Sequence, residues 1–482
     1  MTEQKISRRR YLKYVGGIAV AAAAAGAVGY GIHDVMKPPP TAPATVTVTP
    51  PPVTVTTAST PMAFQYSENI RRGIAQFTTP VTKPLAEPKD WISPPSEYKN
   101  KKEIVIGSSM PLTGMYSWAT PWAKMYEYWV KMLNDKGGLL GLPVRLLMYD
   151  SGSDATREIA NNTKLITVDK VDLLLGGTPT ATILPTFGAI DKYGYVIMNI
   201  GCATIKGMTN PPFENIFTYD FGAEVYAYSI WPWLDSLPPD LKPKKSAIMY
   251  AEYSPFCVDN GKACVELSRG VGIDPVYVSS YPAGVTDYTS EVMKMRDSGA
   301  EVLVLADTEA APAKLIPKAA KMIGWQPKAY WDIQYIYPGF EDPDKPGSLG
   351  PLTYNTVLPV NHWPTWPDPP FKDAKLWVDF YTKLIGLSPT TANFDFGWPA
   401  GGAQVLQAAV EATGSLDQKV LKDYIWKHSF NTLCGHIEFN EYKLAVGWQM
   451  ALGQITGDGK EAVVWPDKLA TAKAVYPKPP WQ

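Results

Sequence analysis

Beyond Lys102 the chain alternates short apolar runs with longer amphipathic stretches, the signature of a parallel sheet flanked by helices. Strands are predicted over 104–107, 144–150, 172–176, 196–199, 247–251, 276–281, 302–306 and 329–332, and helices over 122–134, 154–168, 259–269, 288–297 and 313–323. Asp154 and Asp287 each stand just before an amphipathic run, where a carboxylate accepts hydrogen bonds from first-turn amides. More β/α units precede Asp332 than one small doubly wound sheet needs, and an aromatic-rich interruption over 333–370 separates them from a second helical block. A chain of 482 residues that is 45% hydrophobic is also too long for a single core. The expectation is an α/β protein of two Rossmann-like lobes joined by crossovers.

The N-terminal part does not share this pattern. Residues 1–37 join a basic head (Lys5, Arg8, Arg9, Arg10, Lys13) to an uncharged apolar run over 14–32, which reads as an export signal or a membrane anchor. At a helical rise the run reaches roughly 28 Å, close to a hydrocarbon core. The basic flank would stay in the cytoplasm and everything after Lys37 would lie outside. Ser7 to Lys13 resembles the twin-arginine export motif, with Tyr11 where the motif usually has Phe; an ordinary secretory signal is the alternative. No cysteine follows the run until Cys202, which excludes a lipoprotein anchor. Residues 38–61 are Pro, Thr, Val and Ala with hardly another residue type and no charge, a composition for an extended stalk of up to about 75 Å. The lead-in over 62–102 stays Pro-rich and is expected to carry no regular element. Asn161-Asn162-Thr163 is an N-glycosylation sequon.

Composition narrows the chemistry. The 45 Lys plus Arg nearly cancel the 46 Asp plus Glu, so the electrostatic footprint of a nucleic-acid binder is missing. Four cysteines without a close CxxC pair and four scattered histidines offer no recognisable zinc site. Neither a GxSxG elbow nor an HExxH helix motif occurs, and the GGLLG run of Gly137 to Gly141 follows a helix and precedes a strand, the reverse of a nucleotide fingerprint. Cys257 and Cys264 would be about 10.5 Å apart within one helix, so a bridge between them requires Cys257 to sit in the preceding loop.

Thr178, Thr180 and Thr182 follow a buried strand and precede an apolar helix, which gathers hydroxyls and free amides at a helix N-terminus suited to a carboxylate. Capping by a single threonine is the simpler role for any one of them.

Several blocks, in order, carry a family resemblance. They are Lys102 to Gly107 with Pro111-Leu112-Thr113-Gly114, Asn134 to Gly141, Gly176 to Thr182, Gly201-Cys202-Ala203-Thr204, Thr286-Asp287-Tyr288, Gly435 to Asn440, Gln454, and Val463-Val464-Trp465-Pro466. Together the body resembles a type I periplasmic binding protein of the branched-chain amino-acid, urea and amide group. The resemblance implies lobe 1 over 103–221 and 336–445, and lobe 2 over 222–335 and 446–482, joined by three crossovers. It implies a ligand carboxylate at Thr180, beside the Thr178 hydroxyl of the same helix N-terminus, and an ammonium at the backbone and hydroxyl groups of Cys202 and Thr204. Trp118 and Tyr253 follow the two loops that face the cleft in that family. The acidic residue that neutralises the ammonium there aligns with Pro312, so Asp307 and Glu309, earlier on the same loop, are the available substitutes. A tyrosine of the last long helix aligns with Ala400, beside Trp398 and Pro399, which implies a reshaped pocket.

The function implied is an extracytoplasmic solute-binding protein of an ABC importer, capturing branched-chain or related amino acids between closing lobes. Its partners would be a permease with separate ATPase subunits and, through the N-terminal segment, the membrane; neither a cofactor nor nucleic acid is implied. Binders of amides, urea or small organic acids and ligand-sensing ectodomains share the fold.

Overall fold

The first apolar run of the body forms β1 (Ile104–Met110), which lies between β2 (Val144–Asp150) and β3 (Leu173–Leu174), parallel to both. A strand with helices over both faces has no polar face to present, and β1 is buried almost throughout. This computed structural model describes residues 64–308, 310–332, 354–357, 379, 380, 383, 384, 397–455, 461–478 and 480. The expected signal, anchor and stalk, Glu309 and most of 333–396 lie outside the described residues. Among the described residues no helix is long and apolar enough to cross a membrane.

The lead-in contains α1 (Glu68–Thr78), where no regular element was expected. The prolines resume only at Pro80, and Ile70, Gly73, Ile74 and Phe77 recur at helical spacing, with Ile70 buried completely. The first β/α unit continues with α2 (Thr120–Asp135), whose buried stripe includes Trp122, Tyr126, Trp129 and Leu133. It ends on Gly137 and Gly138, at φ +103° and +89°, a left-handed conformation that glycine adopts without strain. Asn134 then ties the helix end to β2: its Nδ2 donates to Val144 O and its Oδ1 accepts from Val144 N, both at 2.8 Å.

Lobe 1 adds α3 (Ala155–Thr167), α4 (Thr180–Ile190), β4 (Ile197–Asn199), α5 (Ile205–Thr209) and β5 (Ile216–Thr218), with β4 and β5 parallel. Asp154 caps α3 through Arg157 N at 2.7 Å, as its position predicts. The sequon falls inside α3, and Asn161 Nδ2 donates inward to Ser109 Oγ and Asp150 O, both at 3.1 Å. A glycan on that nitrogen would break these bonds.

The chain then passes through 219–229 to α6 (Ile230–Asp235) and a second sheet built from β6 (Lys245–Ala251), β7 (Asp274–Tyr281), β8 (Val302–Ala306), β9 (Ala329–Asp332) and β10 (Tyr354–Val357). Helices α7 (Pro255–Gly270), α8 (Thr289–Asp297) and α9 (Ala310–Met322) intervene. Asp287 accepts from Thr289 N at 2.8 Å at the start of α8. The chain re-enters lobe 1 by α10 (Gly397–Thr413) and α11 (Gln418–Lys427), followed by the antiparallel β11 (Ser429–Thr432), β12 (Gly435–Phe439) and β13 (Ala445–Val446). It returns to the second sheet as β14 (Ala451–Ile455) and β15 (Glu461–Trp465).

That sheet runs β15-β14-β10-β9-β8-β6-β7. β10 falls in the 336–445 stretch expected in lobe 1, yet it pairs with β9 on one side and β14 on the other, where their backbone groups need partners. All four cysteines are buried and none forms a disulfide. Cys257 and Cys264 both lie inside α7, so the conditional bridge does not form.

Candidate ligand-binding site

In a parallel sheet, loops collect at the carboxyl ends of the strands, and both lobes put their chemistry there. In lobe 1, the Asp150 carboxylate at the end of β2 accepts from Leu112 N, Thr113 N and Gly152 N at 2.8–3.1 Å, and from Thr113 Oγ1 at 2.6 Å. Burial alone would raise its pKa, but these donors outweigh it and hold the carboxyl below its ordinary value. The loop after β1 is therefore held in place. Trp118, on that loop, is half-buried and meets Trp122 edge-on at 6.0 Å between centroids.

Thr178, Thr180, Cys202 and Thr204 converge around the loop after β4. Thr178 lies against Gly201, where an added Cβ would come within 2.4 Å of its Oγ1. Thr180 Oγ1 accepts from Ala203 N at 3.1 Å and donates to Gly201 O at 3.4 Å. Asn199 braces the same loop, accepting from Cys202 N at 2.8 Å and donating to Cys202 O at 2.7 Å. The Cys202 thiol sits among Ile183, Phe187 and Ile205, and burial pushes its pKa far up. Thr182 N and Ile183 N bond Pro179 O, while the amides of Thr180 and Ala181, first in α4, have no intrahelical acceptor.

Lobe 2 contributes a second cluster. Asp307, fully buried at the end of β8, accepts from the Tyr253 hydroxyl on one oxygen and the Tyr281 hydroxyl on the other. Tyr253 follows β6 and Tyr281 ends β7, so the three residues come from the ends of neighbouring strands. Burial, and after it the Asp307 charge, raise the Tyr281 pKa well above its usual value. The ring of Tyr288 stands edge-on to Tyr281 at 5.2 Å. Pro312 lies within α9.

The two clusters are linked through α7. Thr204 Oγ1 donates to Asp259 Oδ2 at 2.5 Å, a direct bond from lobe 1 to lobe 2, and Cys257 Sγ lies 3.9 Å from Thr308 Oγ1. Glu224, on the crossing segment, accepts from Ile205 N at 3.0 Å and Lys206 N at 3.3 Å. Burial pushes its carboxyl up to about 7, with nearby Asp259 adding to the rise and the backbone donors opposing it. Asp259, Tyr281 and Glu224 escape a reading by motif. The usable signal for Tyr281 is its place as the last residue of a predicted strand. Trp398, beside the Ala400 that replaces the family tyrosine, is buried and packs edge-on against Phe221 at 4.8 Å and Trp448 at 5.4 Å.

Residues 103–460 match the family described as periplasmic binding protein. The chain belongs to that family. A curated relative, the Leu/Ile/Val-binding protein homolog 7 of Brucella suis biovar 1, is 22% identical over 395 residues, covering 78% of this chain and 94% of the relative. Two solved periplasmic binding proteins share the fold. The branched-chain amino acid transporter substrate binding protein of Streptococcus pneumoniae, in complex with isoleucine, has a TM-score of 0.63 at 17% identity, over 78% of this chain and 100% of its own. A solute binding protein of an ABC transporter from Rhodopseudomonas palustris, in complex with 3,4-dihydroxy benzoic acid, has a TM-score of 0.60 at 16% identity, over 78% and 98%. The body after Lys102 is thus a periplasmic binding protein with the α/β type I fold.

Proposed function

We propose that this periplasmic binding protein is the solute-receiving subunit of an ABC importer and closes its lobes over a branched-chain or related amino acid. The observation that carries the reading is the Thr204–Asp259 bond, which sets the threonine-lined loop after β4 against α7 of the opposite lobe. The ligand carboxylate would lie against Thr178, Thr180 and the first amides of α4, and its ammonium near Thr204, the Cys202 carbonyl, and Asp307 with Glu309. Trp118 and Tyr253 would wall the side chain. Closure captures the ligand because the closed form binds it more tightly, and a permease with separate ATPase subunits would take delivery from that form. The basic head and apolar run of 1–37 would export or anchor the protein, and 38–61 would hold the body off the membrane. Fractionation of expressing cells tests the anchor.

A second reading rests on Asp307. Its oxygens each already accept a tyrosine hydroxyl, which spreads the charge that an ammonium would need. Ligands without an ammonium, such as small organic acids or amides, fit that arrangement, and the solved relative with 3,4-dihydroxy benzoic acid shows such a ligand in the fold.

Thermal unfolding against amino acids, amides, urea and aromatic acids separates the two, because a ligand of the native state raises the midpoint by mass action. The first reading expects a rise with leucine, isoleucine or valine, with affinity weakened about ten-fold or more in Thr180→Ala by loss of a charge-assisted hydrogen bond. Rises confined to ligands without an ammonium would replace it with the second.

A further inference from the structure

Gln76 of α1 is fully buried and spends its polar groups on the two described segments where the chain passes between the lobes. Its Nε2 donates to Asp220 O at 2.9 Å and to Ala445 O at 3.2 Å, and its Oε1 accepts from Gly222 N at 2.8 Å. Its backbone oxygen accepts from Gly447 N at 3.0 Å and Trp448 N at 3.1 Å. Asp220 and Gly222 lie between β5 and the second sheet; Ala445 opens β13, and Gly447 and Trp448 lie between β13 and β14. One residue therefore holds both crossings.

Its surroundings reinforce the hold. Phe77 stands edge-on to Phe221 at 4.9 Å, and Phe221 continues to Trp448 at 5.4 Å, so an aromatic layer joins the helix to both crossings. Gly73 sits so close to Val225 that an added Cβ would come within 2.6 Å of Cγ1. Before Gln76, Ser67 N donates to Glu266 Oε2 on α7 in lobe 2 at 2.8 Å. On the other flank, Arg72 Nη1 donates to Thr209 Oγ1 on α5 in lobe 1 at 2.7 Å, with its guanidinium over the Tyr442 ring at 4.0 Å. The chain after α1 then follows lobe 1, with Thr82 N and Lys83 N donating to Glu438 and Trp91 Nε1 to Glu411 O. All of this precedes residue 103, where the family match begins.

We propose that Gln76 is a positioning residue for ligand capture: by bonding two interlobe crossings to one helix, it fixes the pivot about which the lobes close. The inference rests on the reading that the lobes close on a ligand. Hinges are the few residues that absorb the dihedral change. Two crossings tied to one carboxamide must absorb it together, which keeps the unliganded protein to a narrow set of lobe angles. Without the tie the crossings move separately, and binding then pays to order them.

Val168 in lobe 1 and Met322 in lobe 2 are 67% and 69% exposed, and the native cysteines are buried, so Val168→Cys with Met322→Cys places one spin label on each lobe of the full chain. Pulsed spin-resonance distances are then measured without ligand and with L-leucine, alongside leucine affinity and thermal midpoint. Gln76→Met, which keeps the volume and removes the amide, is expected to broaden the unliganded distance distribution and raise the leucine Kd about five-fold. A helix with a merely structural role would lower the midpoint and leave the distribution as in the parent, and that result overturns the proposal. If Gln76→Met does not fold, Phe77→Leu, which loosens the aromatic contact, is judged by the same distribution. If leucine fails to move the parent distance, the branched-chain reading fails, while the unliganded distribution still decides the role of Gln76.

Discussion

Glu224 is where a single residue should be felt in solution. Its carboxyl stands near 7 in the folded protein against an ordinary 4.5. From about pH 4.5 to 7 the native state therefore keeps a proton that the unfolded chain has released, and stability falls as pH rises through that window. Above it the full cost is present; below it the cost vanishes. Glu224→Gln is expected to raise the melting midpoint by a few degrees at pH 8 and to leave it nearly unchanged at pH 4, as read by calorimetry. Equal shifts at both values would assign the effect to packing. At this scale the placement of the threonines was legible, because a strand followed by Thr-x-Thr-x-Thr and an apolar helix puts them at a helix N-terminus. Asp259 was not, because its partner Thr204 lies 55 residues away and only the fold brings the two to 2.5 Å. Asp307 was legible as an acid just after a predicted strand, but its two tyrosine donors depend on the order β7-β6-β8, which residue spacing does not encode.

Among the elements, the turn after α2 ties local sequence to sheet register. A Cβ on Gly138 would come within 1.9 Å of Leu142 O, and the residue already sits at positive φ. Gly138→Ala is expected to cost at least about 2 kcal/mol in chemical denaturation, since backbone must move to admit the methyl group. A smaller loss would mean that the turn relaxes. Long strands with continuous apolar runs, such as β1 and β8, announced themselves, and so did helices with an acidic cap. The three-residue β5 and the two-residue β13 are too short for any periodicity to show, and pairing alone defines them. Helix α1 was hidden by the prolines on either side of it, although its own residues carry an amphipathic spacing.

For the whole molecule, the alternation of strands and helices announced parallel strands flanked by helices, whereas the route of the chain between the sheets did not follow from it. β10 shows why: hydrogen-bond partners, not position along the chain, assign a strand to a sheet. None of the four thiols is bridged, and burial raises the pKa of Cys202, Cys264 and Cys434. A thiol reductant is accordingly expected to leave the melting midpoint unchanged, and a drop would reveal a cross-link. A body that closes without sulfur–sulfur bonds reaches the same contacts in a reducing cytosol as in an oxidising exterior. Its folding is then free of any need for a disulfide-forming catalyst, on whichever side of a membrane it takes place.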